Sequence, residues 1–167
     1  MPETVRWELL EGELPTEIGN STNSVWFGLA VANISGSLPS SIGMLKRIQT
    51  LVIYTAQLSG HIPEEIGNCS KLQTLSLNQN LISGQSQGEL GISASFKSYT
   101  YGRTENLLTG SIPRSFGKLV KLQRLYLSFN QLSGIIPVEI VNCTKLSHLF
   151  LDNNELSGEL AVDPLAI

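Results

Sequence analysis

Residues 122–134 read LQRLYLSFNQLSG, and the same frame recurs as LQTLSLNQNLISG at 72–84 and LSHLFLDNNELSG at 146–158. In each copy two leucines stand one residue apart: Leu75 and Leu77, Leu125 and Leu127, Leu149 and Leu151. Apolar residues alternating with period 2 mark a short strand that buries one face. The strand ends at an asparagine, Asn80, Asn130 or Asn154. An asparagine there can turn its amide onto nearby backbone groups and satisfy them in a tight bend.

Working outward, the glycines keep the same beat. Gly12, Gly36, Gly60, Gly84, Gly110, Gly134 and Gly158 follow one another at intervals of 24, 24, 24, 26, 24 and 24. Five of them are followed three residues later by a proline: Pro15, Pro39, Pro63, Pro113 and Pro137. An aliphatic residue precedes each proline: Leu14, Leu38, Ile62, Ile112 and Ile136. The proline fixes a stiff extended return path with no N–H to satisfy.

One such unit cannot bury its own leucines, but stacked units can, each strand pairing with the next at about 4.8 Å. The pattern therefore predicts an α/β-type repeat solenoid over 1–167, a single domain of about six 24-residue repeats. It is a curved stack with a parallel sheet on the concave face and short helical or 3-10 turns and loops on the convex face. The strand positions fall near 24–31, 48–55, 72–79, 98–105, 122–129 and 146–153.

The consensus LSGxIPxxIGNCxxLxxLxLxxN, seen in pieces at 58–80 and 132–154, resembles the plant-specific leucine-rich repeat. Residues 11–80 and 106–158 fit it. That motif is typical of the ectodomains of plant receptor-like serine/threonine kinases. The runs EGELPTEIGN, ISGSLPSSIGMLKRIQTL, IYTAQLSGHIPEEIGNCSKLQ and ENLLTGSIPRSFGKL are similar to receptors of root meristem growth factor peptides. Those receptors carry Arg-x-Gly-Gly before the EGELP-like segment, where this chain reads Val5-Arg6-Trp7-Glu8-Leu9-Leu10. The Arg-x-Arg pair by which related receptors hold a peptide's C-terminal carboxylate is absent, Arg124-Leu125-Tyr126 being the nearest approach to it. Kinase motifs and the cysteine-paired cap of the family are absent from the sequence.

Residues 85–105 break the pattern. Gln85-Ser86-Gln87 replaces x-Ile-Pro, and Ser98, Tyr101 and Arg103 fall where inward leucines are expected. An unpaired arginine cannot be buried cheaply. The segment reads either as a damaged repeat, the weak link of the stack, or as an insertion that bulges from it.

Composition narrows the function. The hydrophobic fraction of 41% supplies a core, aromatics make up only 7%, so the core is aliphatic, and the mean hydropathy is +0.08. A net charge of -3 and a pI near 5.4, with no basic stripe, exclude nucleic acid as the natural partner. No nucleophile motif is present, and His61 and His148 fall in different repeats, so neither an enzyme, a metal site nor a cofactor is expected. Binding is expected on the concave face. Its candidate residues are Tyr54, Asn78, Gln79, Arg124, Tyr126, Phe129, His148, Phe150 and Asp152, the richest patch being Tyr126, Phe129 and Phe150 with Arg124, His148 and Asp152. Exposed aromatics beside charged and amide groups suit an extended peptide.

Cys69 and Cys143 occupy the same place in their repeats. Three steps of about 4.8 Å separate them by roughly 14 Å, too far for a disulfide, so both are expected free. Sequons stand at Asn20, Asn33, Asn68 and Asn142, candidate glycosylation sites consistent with a secretory origin. The chain shows neither a signal peptide nor a membrane helix, and the resemblance implies the extracellular side of the plasma membrane. It further implies a fragment of a receptor-kinase ectodomain that binds a secreted peptide or protein, with a co-receptor kinase in the full-length relative. The alternatives are a free-standing defence protein such as a polygalacturonase inhibitor, or a truncated remnant without independent function.

Overall fold

The computed structural model describes residues 4–7, 11–30, 33–56, 58, 60–80, 110–130 and 132–158. Ten short strands are found among them: β1 (Thr4–Trp7), β2 (Glu11–Glu13), β3 (Trp26–Ala30), β4 (Asn33–Ser35), β5 (Thr50–Tyr54), β6 (Thr74–Ser76), β7 (Arg124–Tyr126), β8 (Ser133–Gly134), β9 (His148–Phe150) and β10 (Glu155–Leu156). Six form one parallel sheet in the order β1-β3-β5-β6-β7-β9. Two small parallel pairs, β2 with β4 and β8 with β10, lie downstream of strands of that sheet in their coils.

Register stacks like on like. Phe27 lies beside Leu51, Leu51 beside Leu75, Leu75 beside Leu125 and Leu125 beside Leu149. The second inward column, Leu29, Ile53, Leu77 and Leu127, is equally buried. Columns from the convex side meet these: Ile18, Ile42, Ile66, Phe116 and Ile140 in one, Ile48, Leu72 and Leu122 in another. The core is thus a set of mostly aliphatic ladders along the solenoid axis, as the repeating pattern requires.

Five described repeats each return across the convex face through a single 3-10 turn: Thr16–Asn20, Ser40–Met44, Glu64–Asn68, Arg114–Lys118 and Val138–Asn142. The phased proline stands just before each turn, extended at φ -60 to -70 and ψ 134 to 146. Its carbonyl accepts the first turn's hydrogen bond, from Ile18, Ile42, Ile66, Phe116 or Ile140 at 3.0–3.1 Å. The glycine that follows the buried isoleucine lets successive turns touch. A Cβ on Gly43 would stand 2.5 Å from the Glu65 carbonyl oxygen, and one on Gly67 2.5 Å from that of Ser115.

Two departures from an even beat appear here. The strand expected near 98–105 lies outside the described residues, and the strands before and after it are paired with each other. Thr50 is beside Thr74 and Arg124 beside His148, but between them Thr74 is beside Arg124 and Ser76 beside Tyr126. The numbering thus advances by one period at the flanking pairs and by slightly more than two at β6–β7. The sheet therefore runs unbroken across the irregular repeat. The second departure is at the other end, where β1 adds a strand upstream of the expected first one. It pairs Thr4 with Trp26, whereas Trp26 pairs with Thr50 on its other side, so β1 falls two positions short of the common beat.

The direct β6–β7 pairing also moves the cysteines. Their repeats are two coils apart rather than three, roughly 10 Å at the sheet spacing, still beyond disulfide reach. Both are free and buried. Each thiol donates to a carbonyl of the preceding coil, Cys69 to Ile42 at 3.3 Å and Cys143 to Phe116 at 3.2 Å. Burial pushes both thiols up to about 11, so they stay protonated and act as small core groups.

Candidate functional site

The sheet's open face is built by residues that alternate with the buried leucines. Arg124, Tyr126 and Ser128 alternate with them in one coil and His148, Phe150 and Asp152 in the next, with Arg124 beside His148 and Tyr126 beside Phe150. The Tyr126 and Phe150 rings stack at 5.1 Å between centroids with 18° between planes. His148 lies against Phe150 at 6.4 Å and 20°. Phe150 remains 45% exposed and Tyr54 41%, a large apolar surface left in solvent on one face.

Beyond the strands the backbone makes the same unusual step in four coils. Thr55, Gln79, Phe129 and Asn153 have φ of 54 to 57, the left-handed region. A non-glycine residue there costs about 1–2 kcal/mol. The step turns the next residue toward the core, and in three coils that residue is the asparagine of the bend. Asn80 Nδ2 donates to Leu77 O at 3.0 Å and to Ile53 O of the preceding coil at 2.6 Å. Asn130 repeats this with Leu127 O at 2.8 Å and Leu77 O at 3.4 Å, and Asn154 with Leu151 O and Leu127 O, both at 2.9 Å. The local strain is thus tied to an asparagine ladder that stitches coil to coil, and it leaves the side chains of Gln79 and Phe129 at the rim of the open face.

A shallow cavity of about 380 Å³ opens there, lined by Tyr54, Asn78, Gln79, Tyr126, Ser128, Phe129, Phe150 and Asp152. Seven of these belong to the candidate set read from the sequence, and the eighth, Ser128, alternates with them on the same strand run. Arg124 and His148 do not line it. They stand exposed at the other end of their strands, four residues before Ser128 and Asp152. The direct pairing of β6 with β7 is what makes the cavity: it sets Asn78 and Gln79 on the coil next to Phe129, where an intervening coil would have held them apart.

Asp152 is the cavity's carboxylate. The Ser128 hydroxyl donates to its Oδ1, and Asn153 Nδ2 donates to its Oδ2 at 2.7 Å. The Ser128 bond foremost, then that of Asn153, holds the carboxyl below its usual range against the opposing effect of burial. Ser128 is buried in this arrangement. Its place on the open face follows from the strand alternation, but nothing in a lone serine announces a carboxylate partner in the following repeat.

Three of the four sequons fall on the convex side. Asn20, Asn68 and Asn142 each end a 3-10 turn and are exposed. Asn33 opens β4, and its side chain lies outside the described residues. His61 is exposed ahead of the turn at Glu64–Asn68, on a different surface from His148, and no three His, Cys, Asp or Glu side chains converge among the described residues.

A stack of 24-residue coils with a parallel inner sheet, an asparagine ladder and convex 3-10 turns is a leucine-rich-repeat solenoid. Comparison with known families agrees, identifying "Leucine rich repeat" over residues 104–156. No match is found among curated protein sequences. Among solved structures, the ectodomain of the plant membrane receptor kinase GASSHO1/SCHENGEN3 from Arabidopsis thaliana, in complex with CASPARIAN STRIP INTEGRITY FACTOR 2, is 30% identical with a TM-score of 0.73, covering 92% of this chain and 15% of that one. The Arabidopsis receptor kinase HAESA, in complex with the peptide hormone IDA and the co-receptor SERK1, is 34% identical with a TM-score of 0.69, covering 89% of this chain and 20% of that one. The plant peptide hormone receptor RGFR1 in complex with RGF2 is 44% identical over 93% of this chain and 31% of that one, with a TM-score of 0.47. The chain is therefore a leucine-rich-repeat solenoid that resembles the ectodomains of plant receptor kinases, and it spans 15% of the length of the first of these and 20% of the second. No helix among the described residues is long and apolar enough to cross a membrane.

Proposed function

We propose that this chain is a ligand-recognition module of a plant receptor-kinase ectodomain and that its concave face binds an extended secreted peptide. The observation that carries the reading is the cavity itself. Seven side chains, chosen as outward-facing from sequence alone, surround one concave space, and two of its aromatic members, Tyr54 and Phe150, are exposed. Extended peptides are bound by such faces through aromatic anchors framed by hydrogen-bonding groups. The similar receptors cited above are in complex with CASPARIAN STRIP INTEGRITY FACTOR 2 and with the peptide hormone IDA, which favours a peptide over a protein surface as ligand. In the whole protein a kinase and a membrane segment would carry the signal, with a co-receptor kinase as partner. The face would then lie on the extracellular side, with Asn20, Asn68 and Asn142 open to glycosylation on the opposite surface.

The test is selection of a displayed peptide library on the full chain. Retained peptides are then measured by calorimetry against Tyr126→Ala, Phe150→Ala and the convex-face control Val120→Ser. Affinity lost in the first two and kept in the third is expected. Affinity lost equally in all three, or in none, would place the binding surface elsewhere.

A further inference from the structure

The cavity's chemistry is one-sided. Four of its eight walls are aromatic, Tyr54, Tyr126, Phe129 and Phe150, and aromatic ring faces are electrostatically negative. Its one group charged at neutral pH is the Asp152 carboxylate. That carboxylate is held by two neutral donors, Ser128 and Asn153, which keep it ionised without cancelling its charge. Each of its oxygens accepts one bond from these partners and has capacity for another. Among the described residues no lysine, arginine or histidine lines the space, and Arg124 and His148 stand at the far ends of their strands. Negative ring faces and a carboxylate without a cationic partner among the described residues suit a cation bearing N–H donors.

We propose that this cavity receives a cationic side chain of the ligand, an arginine whose guanidinium stacks on the Tyr126–Phe150 pair and donates to Asp152. Arginine fits better than lysine because its planar guanidinium can stack and form a forked bond to a carboxylate at the same time. The volume, about 380 Å³, is at the small end for a ligand pocket and suits one side chain rather than a whole ligand. The proposal rests on the concave-face reading above and adds to it the chemistry of one ligand position.

The experiment titrates the full chain with Nα-acetyl-arginine methylamide and follows the Tyr and Phe ring signals by NMR. The citrulline counterpart has the same shape without the charge, and the lysine counterpart and tetramethylammonium are the other arms. The arginine compound should shift the ring signals saturably, with the citrulline compound roughly tenfold weaker, and Asp152→Asn should weaken arginine by a similar factor. Phe150→Leu, which keeps the apolar contact and removes the ring, should cost about threefold. Matching circular dichroism melts for the variants exclude unfolding as the cause. Equal binding of arginine and citrulline compounds, no saturable shift with any cation, or lysine or tetramethylammonium binding more tightly than arginine would overturn the assignment. Peptides from the library that are retained equally by Asp152→Asn would overturn it while leaving the peptide-binding reading intact. An arginine response with no retained peptide would do the reverse.

Discussion

Two joints of the stack invite comparison, that between β5 and β6 and that between β6 and β7. The first, the short joint, pairs Thr50 with Thr74, one period on; the second, the long joint, pairs Thr74 with Arg124, across the whole irregular repeat. Their backbone contacts are nearly the same. Gln73 N donates to Gln49 O at 2.8 Å in one, and Gln123 N to Gln73 O at 2.8 Å in the other. The amides of Thr74 and Arg124 follow at 3.0 Å each. The turn glycines Gly43 and Gly67 approach the next coil's carbonyl equally closely. The solenoid thus responds to the phase of its side chains and not to the length of chain between them. Loop closure costs grow only as the logarithm of length, so a joint that buries the right ladder can bypass a repeat at little expense.

The largest test of this equivalence strikes the ladder. Leu125 is fully buried at the long joint, and Leu125→Asp would bury an unpaired charge, costing more than about 4 kcal/mol and unfolding the stack. Leu51→Asp at the start of the short joint should do the same. Tyr126→Ala, on the same strand as Leu125 but facing out, should cost only about 1 kcal/mol through loss of the Phe150 stack. Circular dichroism melts compare all three, and a mild Leu125→Asp would mean that the long joint is not packed as the short one is.

Next come the glycines. Gly67→Val would drive a side chain into the Ser115 carbonyl and Gly43→Val into that of Glu65, each costing about 3 kcal/mol by overpacking. The last coil supplies the contrast: it already has Val141 at this position, 48% exposed with no described turn beyond it. Val141→Gly should therefore change stability by less than about 1 kcal/mol. Unequal losses for the two glycine variants in thermal melts would show that the long joint is looser on its convex side.

How much of this was legible in the sequence follows from the same comparison. The ladders, the prolines before the turns and the outward set Tyr54, Tyr126, Phe129, Phe150 and Asp152 were all readable, because a constant period fixes which face each residue takes. The direct pairing of β6 with β7 was not, because a spacing of 26 keeps residues 85–105 in approximate phase with the repeats on either side. The clue was Arg103 at an inward position, a charge that the ladder has no means to neutralise. Strand β1 was hidden for the opposite reason: Val5 and Trp7 alternate correctly, but pairing Thr4 with Trp26 sets them outside the beat. Convergence of Asn78 and Gln79 with Phe129 and Asp152 likewise depended on the β6–β7 pairing, so the members of the site could be named and their meeting could not.

A finer comparison uses the asparagine ladder. Asn80 bonds back across the short joint at 2.6 Å, whereas Asn130 bonds back across the long one at 3.4 Å. Both amides are buried, and Asn80→Ala takes away the side-chain donor of the Ile53 carbonyl at a cost of about 2 kcal/mol, whereas after Asn130→Ala the Leu77 and Leu127 carbonyls still accept from Asn80 and Asn154. The longer bond predicts that Asn130→Ala is the milder by about 0.5 kcal/mol. Chemical denaturation resolves a difference of that size from the shift in midpoint, and an Asn130→Ala loss larger than that of Asn80→Ala would reverse the ranking of the two joints.

The smallest expected effect is the most direct. Deleting residues 81–106 joins Asn80 to Leu107 and restores the regular 24-residue step between Gly60 and Gly110, reproducing the short joint in sequence as well as in structure. If the stack already bypasses this segment, no ladder contact is lost. The gain is then the closure entropy of a connection roughly halved in length, about 0.6 kcal/mol in favour of the deletion. For a chain of this size that is an upward shift of about 2 °C in the melting midpoint. The cavity should survive too, because Asn78 and Gln79 keep the same neighbours across the joint. A loss of more than about 2 kcal/mol would be far outside closure entropy and would mean that residues 81–106 hold the two coils together through contacts of their own. The joint would then depend on the segment it spans, and the equivalence of the two joints would be a likeness of backbone alone.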